Sequence, residues 1–255
     1  MIELLTETHD GVLHITFNRP DSRNAMTFAM YEGMKEALGA VSADESIRAV
    51  VIAGAGGKAF AAGTDMAQFR AFSTPEDAWA YERRIESVLR AVETCPVPTI
   101  AAITGACTGG GAAIAAACDI RVSDDRLKYG IPIARTLGNC VSAANLARLS
   151  ALFGPARVKD MIFTARLMGA EEAVACGFVA EIVEDPLTRA AELARTLASH
   201  APLTLRATKE AMRRLAEAGP AADDRDLIAL CYMSEDFREG MEAFLGKRKP
   251  EWKGR

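Results

Sequence analysis

Two glycine-rich segments hold the residues whose types and spacing invite chemistry. One is Lys58-Ala-Phe-Ala-Ala62-Gly-Thr64-Asp65-Met66. The other is Gly105-Ala-Cys-Thr-Gly109-Gly110-Gly111, which runs on through an alanine-rich stretch to Cys118-Asp119-Ile120. Three glycines at the head of a helix leave bare N–H donors open to approach at the positive end of its dipole. Donors placed in this way suit a carbonyl oxygen that gains negative charge during reaction. Small residues also allow close helix packing, so each segment alone is compatible with a purely structural role. Other chemistries fit worse. Gly54-Ala-Gly-Gly-Lys58 has Ala59 where a Walker A loop needs Ser or Thr, and Ile52 where it needs its first glycine. A dinucleotide fingerprint opens directly into a helix, whereas Lys58 to Ala62 reads as extended. No Gly-x-Ser-x-Gly elbow is present, and His9, His14 and His200 stand outside every glycine-rich segment.

The elements that must position these segments alternate between strand and helix over roughly the first half of the chain. Val12 to Phe17 is a β-rich run followed by turn residues at 18–24. A helix is expected over 27–41 with Thr27 as its cap, a strand over 48–52, and a helix over 75–94 with Thr74 as N-cap and Pro75 at its first position. A strand over 98–104, a helix from Gly109 to Ala117 and a strand over 120–123 follow. Such alternation predicts an α/β architecture with largely parallel pairing. Beyond about residue 140 the pattern turns helical: 143–153, 155–164, 170–175, 188–199, 202–217 and 224–245, with one strand near 178–183. We therefore expect an α/β core over 1–190 and a helical C-terminal region over 191–255.

Composition excludes several function classes. A chain of 255 residues with 50% hydrophobic residues can bury roughly three quarters of its unfolded surface, enough for a core without metal or disulfide staples. The six cysteines form no CxxC pair, which points to reduced thiols and no metal site. A formal charge of −4 argues against nucleic-acid binding. The N-terminal residues lack a basic, then apolar, leader pattern, and no long uncharged apolar run suggests a membrane span. A cytoplasmic location is the expectation.

Taken in order, Asn18-Arg-Pro-x-x-Arg23-Asn24-Ala25, Ala-Phe-x-Ala-Gly-x-Asp65, Gly105-x-x-x-Gly-Gly-Gly111 and Cys-Asp119-Ile resemble the crotonase (enoyl-CoA hydratase/isomerase) superfamily. The likeness continues through Leu137-Gly138, Arg148-Leu149, Gly169-x-Glu-Glu-Ala173 and Gly177-Phe-Val to Phe244-Leu-x-Lys-Arg-Lys-Pro250. It implies a crotonase fold of repeated ββα units with a helical C-terminal region for oligomerisation and pocket closure. It implies an acyl-CoA thioester as substrate, no cofactor beyond the CoA that the substrate carries, and a homotrimer or a hexamer built as a dimer of trimers. It implies that the N–H groups of Thr64 and Gly110 form an oxyanion hole, each donor being worth roughly 3–4 kcal/mol in the transition state. The CoA moiety is expected along Arg23, Ala25, Ala62, Asp65 and Met66.

The pattern departs at the proton-transfer groups. Hydratases that it resembles carry Gly-Gly-Gly-x-Glu, where this chain has Ala113, and a glutamate after the proline of an aromatic-Gly-x-Pro segment, where it has Ile133. Neither can move a proton. The loop 138–145 contains no acid, but Asn139, Ser142 and the nearby Arg135 offer polar groups: Arg135 to pair with a substrate carboxylate, Asn139 and Ser142 to orient water. Ser142 is equally placed to cap the following helix. Cys140 has no histidine near it in sequence, and Glu86 on the 75–94 helix is a further candidate. Three outcomes remain open at this stage. One is an enolate-stabilising enzyme of the family with weak hydratase activity. The second is a decarboxylase, C–C lyase or thioester hydrolase, and the third a non-catalytic acyl-CoA-binding member.

Overall fold

The computed structural model describes residues 2–255. Strands β1 (Leu4–His9) and β2 (Val12–Phe17) form a hairpin whose two turn residues, Asp10 and Gly11, both have positive φ, at 50° and 73°. Two such residues match the right-handed twist of the flanking strands. Helix α1 (Phe28–Ala40) follows, then β3 (Ala49–Gly54), β4 (Ala59–Ala61) and α2 (Pro75–Glu93). The unit repeats as β5 (Thr99–Ile103), β6 (Ala106–Thr108) and α3 (Gly110–Ala117), and again as β7 (Ile120–Ser123), β8 (Lys128–Gly130) and the short α4 (Ile133–Thr136). The remainder is α5 (Ala143–Phe153), α6 (Pro155–Thr164), α7 (Ala170–Ala175), β9 (Glu181–Ile182), α8 (Pro186–Ala198), α9 (Pro202–Ala218), α10 (Arg225–Tyr232) and α11 (Glu235–Leu245).

The first strand of each ββα unit joins a six-stranded sheet of order β1-β2-β3-β5-β7-β9, parallel except for the hairpin, and the second joins a three-stranded parallel sheet β4-β6-β8. The expected stack of ββα turns is present. Side chains of β3 alternate between two cores: Val50 and Ile52 pack toward α1, α2 and α3, while Ala49, Val51 and Ala53 pack with Ala190 and Ala194 of α8. Burial on both faces explains why these strands read as continuous apolar runs. Residue 190, the expected end of the core, lies inside α8, a helix that packs against the large sheet.

Two expectations are corrected here. The helix expected over 224–245 is two helices, because Ser234 ends one and caps the next by accepting from Phe237 N–H at 2.9 Å. The strand expected over 178–183 contracts to Glu181–Ile182. Arg121 on β7 matters most for the site: its buried guanidinium donates to the carbonyls of Ala115 and Cys118 at the end of α3 and to Phe178 O. A cation there satisfies carbonyls that a helix end leaves unpaired and so anchors α3 from behind. Among the described residues no helix is long and apolar enough to cross a membrane.

Candidate active site

The site forms where two parallel neighbours of the small sheet end. β4 runs into Ala62-Gly63-Thr64, and β6 runs into Gly109-Gly110 at the start of α3. Gly109 has φ 55° and ψ −121°, a backbone that only glycine adopts without strain, and a Cβ on it would come 3.2 Å from the Cα of Gly63. The two segments are thus packed backbone to backbone. Met26 N–H donates to Gly63 O at 2.8 Å, and Asp65 N–H donates to Met26 O at 2.9 Å. This bridge uses the groups flanking Thr64 and leaves the N–H of Thr64 itself on the opposite side. Among the described residues neither Thr64 N–H nor Gly110 N–H donates to a protein acceptor.

Both residues line one cavity of about 300 Å³, at the lower end of the range for small-molecule sites. Its walls include Ala113 and Ile133, the two positions at which the sequence departs from the hydratase pattern; both are buried and apolar. Asn139 and Ser142 also line it, while Ser142 Oγ accepts from Asn145 N–H at 3.3 Å as the cap of α5. Arg135 is exposed and does not line the cavity. Glu86 does not line it either. Its Oε1 accepts from Arg148 at 3.2 Å, and its Oε2 is buried without a partner; Arg148 is also paired with Glu93.

The residues expected along the CoA are brought together on one edge. Ala62 N–H donates to Arg23 O at 3.0 Å, and Arg19 ties this turn to the second segment by donating to Ala25 O at 2.5 Å and pairing with Asp65 at 2.9 Å. Asp65 also accepts from Ala67 N–H, and these bonds hold its carboxyl below the usual range, the backbone bond first and Arg19 next. Arg23 itself is exposed, Ala62 and Met66 line the cavity, and Asn24 is fully buried with its side chain bonding Arg19 N–H, Ala55 O and Ala59 O.

Three residues at the cavity, Tyr81 and Glu82 in its wall and Tyr31 behind Thr64, are not among the candidates read from the sequence. Thr64 Oγ1 lies 2.9 Å from both Tyr31 Oη and Tyr81 Oη, so a chain of three hydroxyls runs beside Thr64 and Gly110. Burial raises both tyrosines above the ordinary phenol range and keeps them neutral. Tyr81 is held in place by Phe69 and Phe72, with ring centroids 4.9 and 6.1 Å away. The third residue is Glu82, next in sequence to Tyr81. Among the described lining residues it is the only carboxylate, and no Lys, Arg or His lines the cavity. Burial first, and Glu86 one turn away second, push its pKa up. Tyr31 lies on α1 and the other two on α2, and the only sequence signal for them is helical spacing, which does not say which turn faces the cavity. Among the described residues no cluster of three or more His, Cys, Asp or Glu could hold a metal ion.

Comparison with known proteins adds an independent line. The sequence profile of the family described as enoyl-CoA hydratase/isomerase matches residues 7–255. The chain is 32% identical to a short-chain-enoyl-CoA hydratase of Clostridium acetobutylicum, over 97% of this chain and 96% of that one. It is 34% identical to a 2,3-dehydroadipyl-CoA hydratase of Escherichia coli, over the full length of both. The crystal structure of an enoyl-CoA hydratase/carnithine racemase from Magnetospirillum magneticum superposes with a TM-score of 0.91 at 36% identity, covering 100% of this chain and 97% of that one.

Proposed function

The chain belongs to the enoyl-CoA hydratase/isomerase family, and from that premise we propose that it is an acyl-CoA enzyme which stabilises a thioester enolate. One observation carries the proposal: Thr64 N–H and Gly110 N–H, both free of protein acceptors, border the same cavity at the head of α3. A thioester oxygen set between them would gain two hydrogen bonds and the helix dipole as charge develops on it. The 62–66 segment and the 23–25 turn would carry the CoA moiety, and the small cavity suits a short acyl chain. In this reading no cofactor is needed beyond the CoA of the substrate. The six free cysteines support a reducing, cytoplasmic setting.

Butyryl-CoA at about 100 times its Kd should stabilise the fold by about 2.7 kcal/mol. That corresponds to a rise of about 5–10 °C in Tm for a domain of this size. NADH at the same concentration should leave Tm unchanged. Melting that is indifferent to butyryl-CoA at millimolar concentration would remove the basis for an acyl-CoA enzyme.

Assembly as a homotrimer or hexamer is part of the same proposal. It is supported by the apolar side chains exposed on the last two helices, among them Tyr232, Phe237, Met241 and Phe244, the last 83% exposed. Patches of this kind on a monomer mark association surfaces. Light scattering should give three or six times the 27.2 kDa chain mass, and a single-chain mass would refute the assembly.

A further inference from the structure

Glu82 has a position that the missing glutamates do not explain. It lies on α2, next in sequence to Tyr81, and lines the same cavity as Thr64 and Gly110. Its carboxylate makes no hydrogen bond and no ion pair within the protein among the described residues, in a chain where most neighbouring acids are tied to arginines. A half-buried carboxyl with no structural partner, facing a cavity, is available to a ligand.

We propose that Glu82 is the proton-transfer residue of this enzyme, acting alone from α2 in place of acids at 113 and 133. The inference rests on the acyl-CoA reading above. The step balances with one carboxyl. Glu82 removes a proton from a carbon of the acyl chain, and the C–H electron pair passes through Cα onto the thioester oxygen held by Thr64 N–H and Gly110 N–H. The resulting carboxylic acid returns the proton to the same carbon or to another one, restoring the thioester and the carboxylate. No water is added and nothing is oxidised. A single carboxyl therefore completes a double-bond shift, in which the proton leaves one carbon and reaches another on the same face, whereas hydration calls for a second group.

The surroundings favour this use. The titratable groups about the cavity are Tyr81 and Glu86 of α2, Tyr31 of α1 behind Thr64, and Cys140 of the 137–142 loop. None of the lining groups is a cation, and Arg148 of α5, outside the cavity, is held by Glu86 and Glu93, so Glu82 ionised in the cavity is a stronger base than a solvated glutamate. The stability sign follows. With its pKa raised in the folded state, Glu82 weakens folding as pH rises from the ordinary glutamate range through that raised value. Glu82→Gln, which keeps the neutral form, should therefore melt no lower than wild type at pH 8.

The test is conversion of 3-butenoyl-CoA to crotonyl-CoA in D2O, followed by absorbance and by mass spectrometry of incorporated deuterium. Wild type should convert the substrate at a rate that rises with pH until Glu82 is ionised, with deuterium entering only in those turnovers in which the Glu82 carboxyl exchanges with solvent before it returns its proton. Glu82→Gln should be slower by about 10²-fold or more and lose that pH limb, with an unchanged thermal shift from butyryl-CoA. Glu82→Asp should recover part of the rate. Conversion by Glu82→Gln at more than half the wild-type rate overturns the assignment. So does a wild type that binds butyryl-CoA yet neither converts nor exchanges 3-butenoyl-CoA, an outcome that leaves the acyl-CoA reading standing. A wild type without any thermal shift overturns both.

Discussion

Purified protein given crotonyl-CoA is expected to hydrate it at no more than about 0.1 s⁻¹, against the roughly 10 s⁻¹ typical of enzymes. Hydration requires a base to activate water and an acid to protonate Cα, and each such group contributes about 10²- to 10⁴-fold. At the two positions where the hydratase pattern places glutamates, this cavity presents the methyl of Ala113 and the side chain of Ile133. Apolar walls cannot hold a reacting water in place, because it would give up hydrogen bonds without replacement. Glu82 supplies one carboxyl, and two free N–H groups stabilise the enolate, but a second carboxyl is lacking among the described lining residues. The relatives named as hydratases share about a third of their residues with this chain, so their activity does not transfer on identity alone. The measurement is the loss of enoyl thioester absorbance with crotonyl-CoA. Turnover near 10 s⁻¹ would show that some pair of groups performs both roles and that the two apolar positions are not limiting.

Replacing Gly110 by alanine should damage both the fold and the reaction, for a single steric reason. A Cβ at position 110 would lie 2.0 Å from Tyr31 Oη, far inside contact distance, and Tyr31 is buried with its hydroxyl bonded to Thr64. Either Tyr31 must leave its place or the first turn of α3 must shift. Overpacking of this kind costs about 1–3 kcal/mol, so Tm should fall by about 5 °C. Displacing the Gly110 N–H should also slow 3-butenoyl-CoA conversion by about 10²- to 10³-fold. Tyr31→Phe removes the offending oxygen, after which the nearest ring carbon stands 3.3 Å from the new methyl. The double variant should therefore melt above Gly110→Ala alone, a departure from additivity that reports direct contact. Gly110→Ala with wild-type melting and rate would mean that the cavity end of α3 is far looser than the geometry indicates.

Local chemistry in the sequence determined a good part of this protein. Helix starts are legible because a cap is a short-range bond: Thr27, Thr74 and Ser142 each accept from an N–H three residues on, as their types and positions indicate. The Asp10-Gly11 hairpin is local in the same way, being a two-residue turn with positive φ at both positions. The two segments that hold Thr64 and Gly110 stand out by their glycines, whose spacing records where backbone must come close to backbone, while the choice of those two N–H groups comes from the family resemblance. Tertiary structure decided the rest. Strands β6 and β8 are three residues each and exist through pairing with neighbours distant in sequence, so no local run announces them. The docking of the C-terminal residues on α11 is long-range as well, since buried Asp236 accepts from Lys253 and Gly254 N–H. In α2, Glu82 and Glu86 share a face at i,i+4 spacing and are indistinguishable by pattern. The packing of α2 turns Glu82 to the cavity while Arg148 of α5 pairs with Glu86. Which carboxyl is free to move a proton is set by what each one touches, and the arginine that ties up Glu86 comes from 62 residues away.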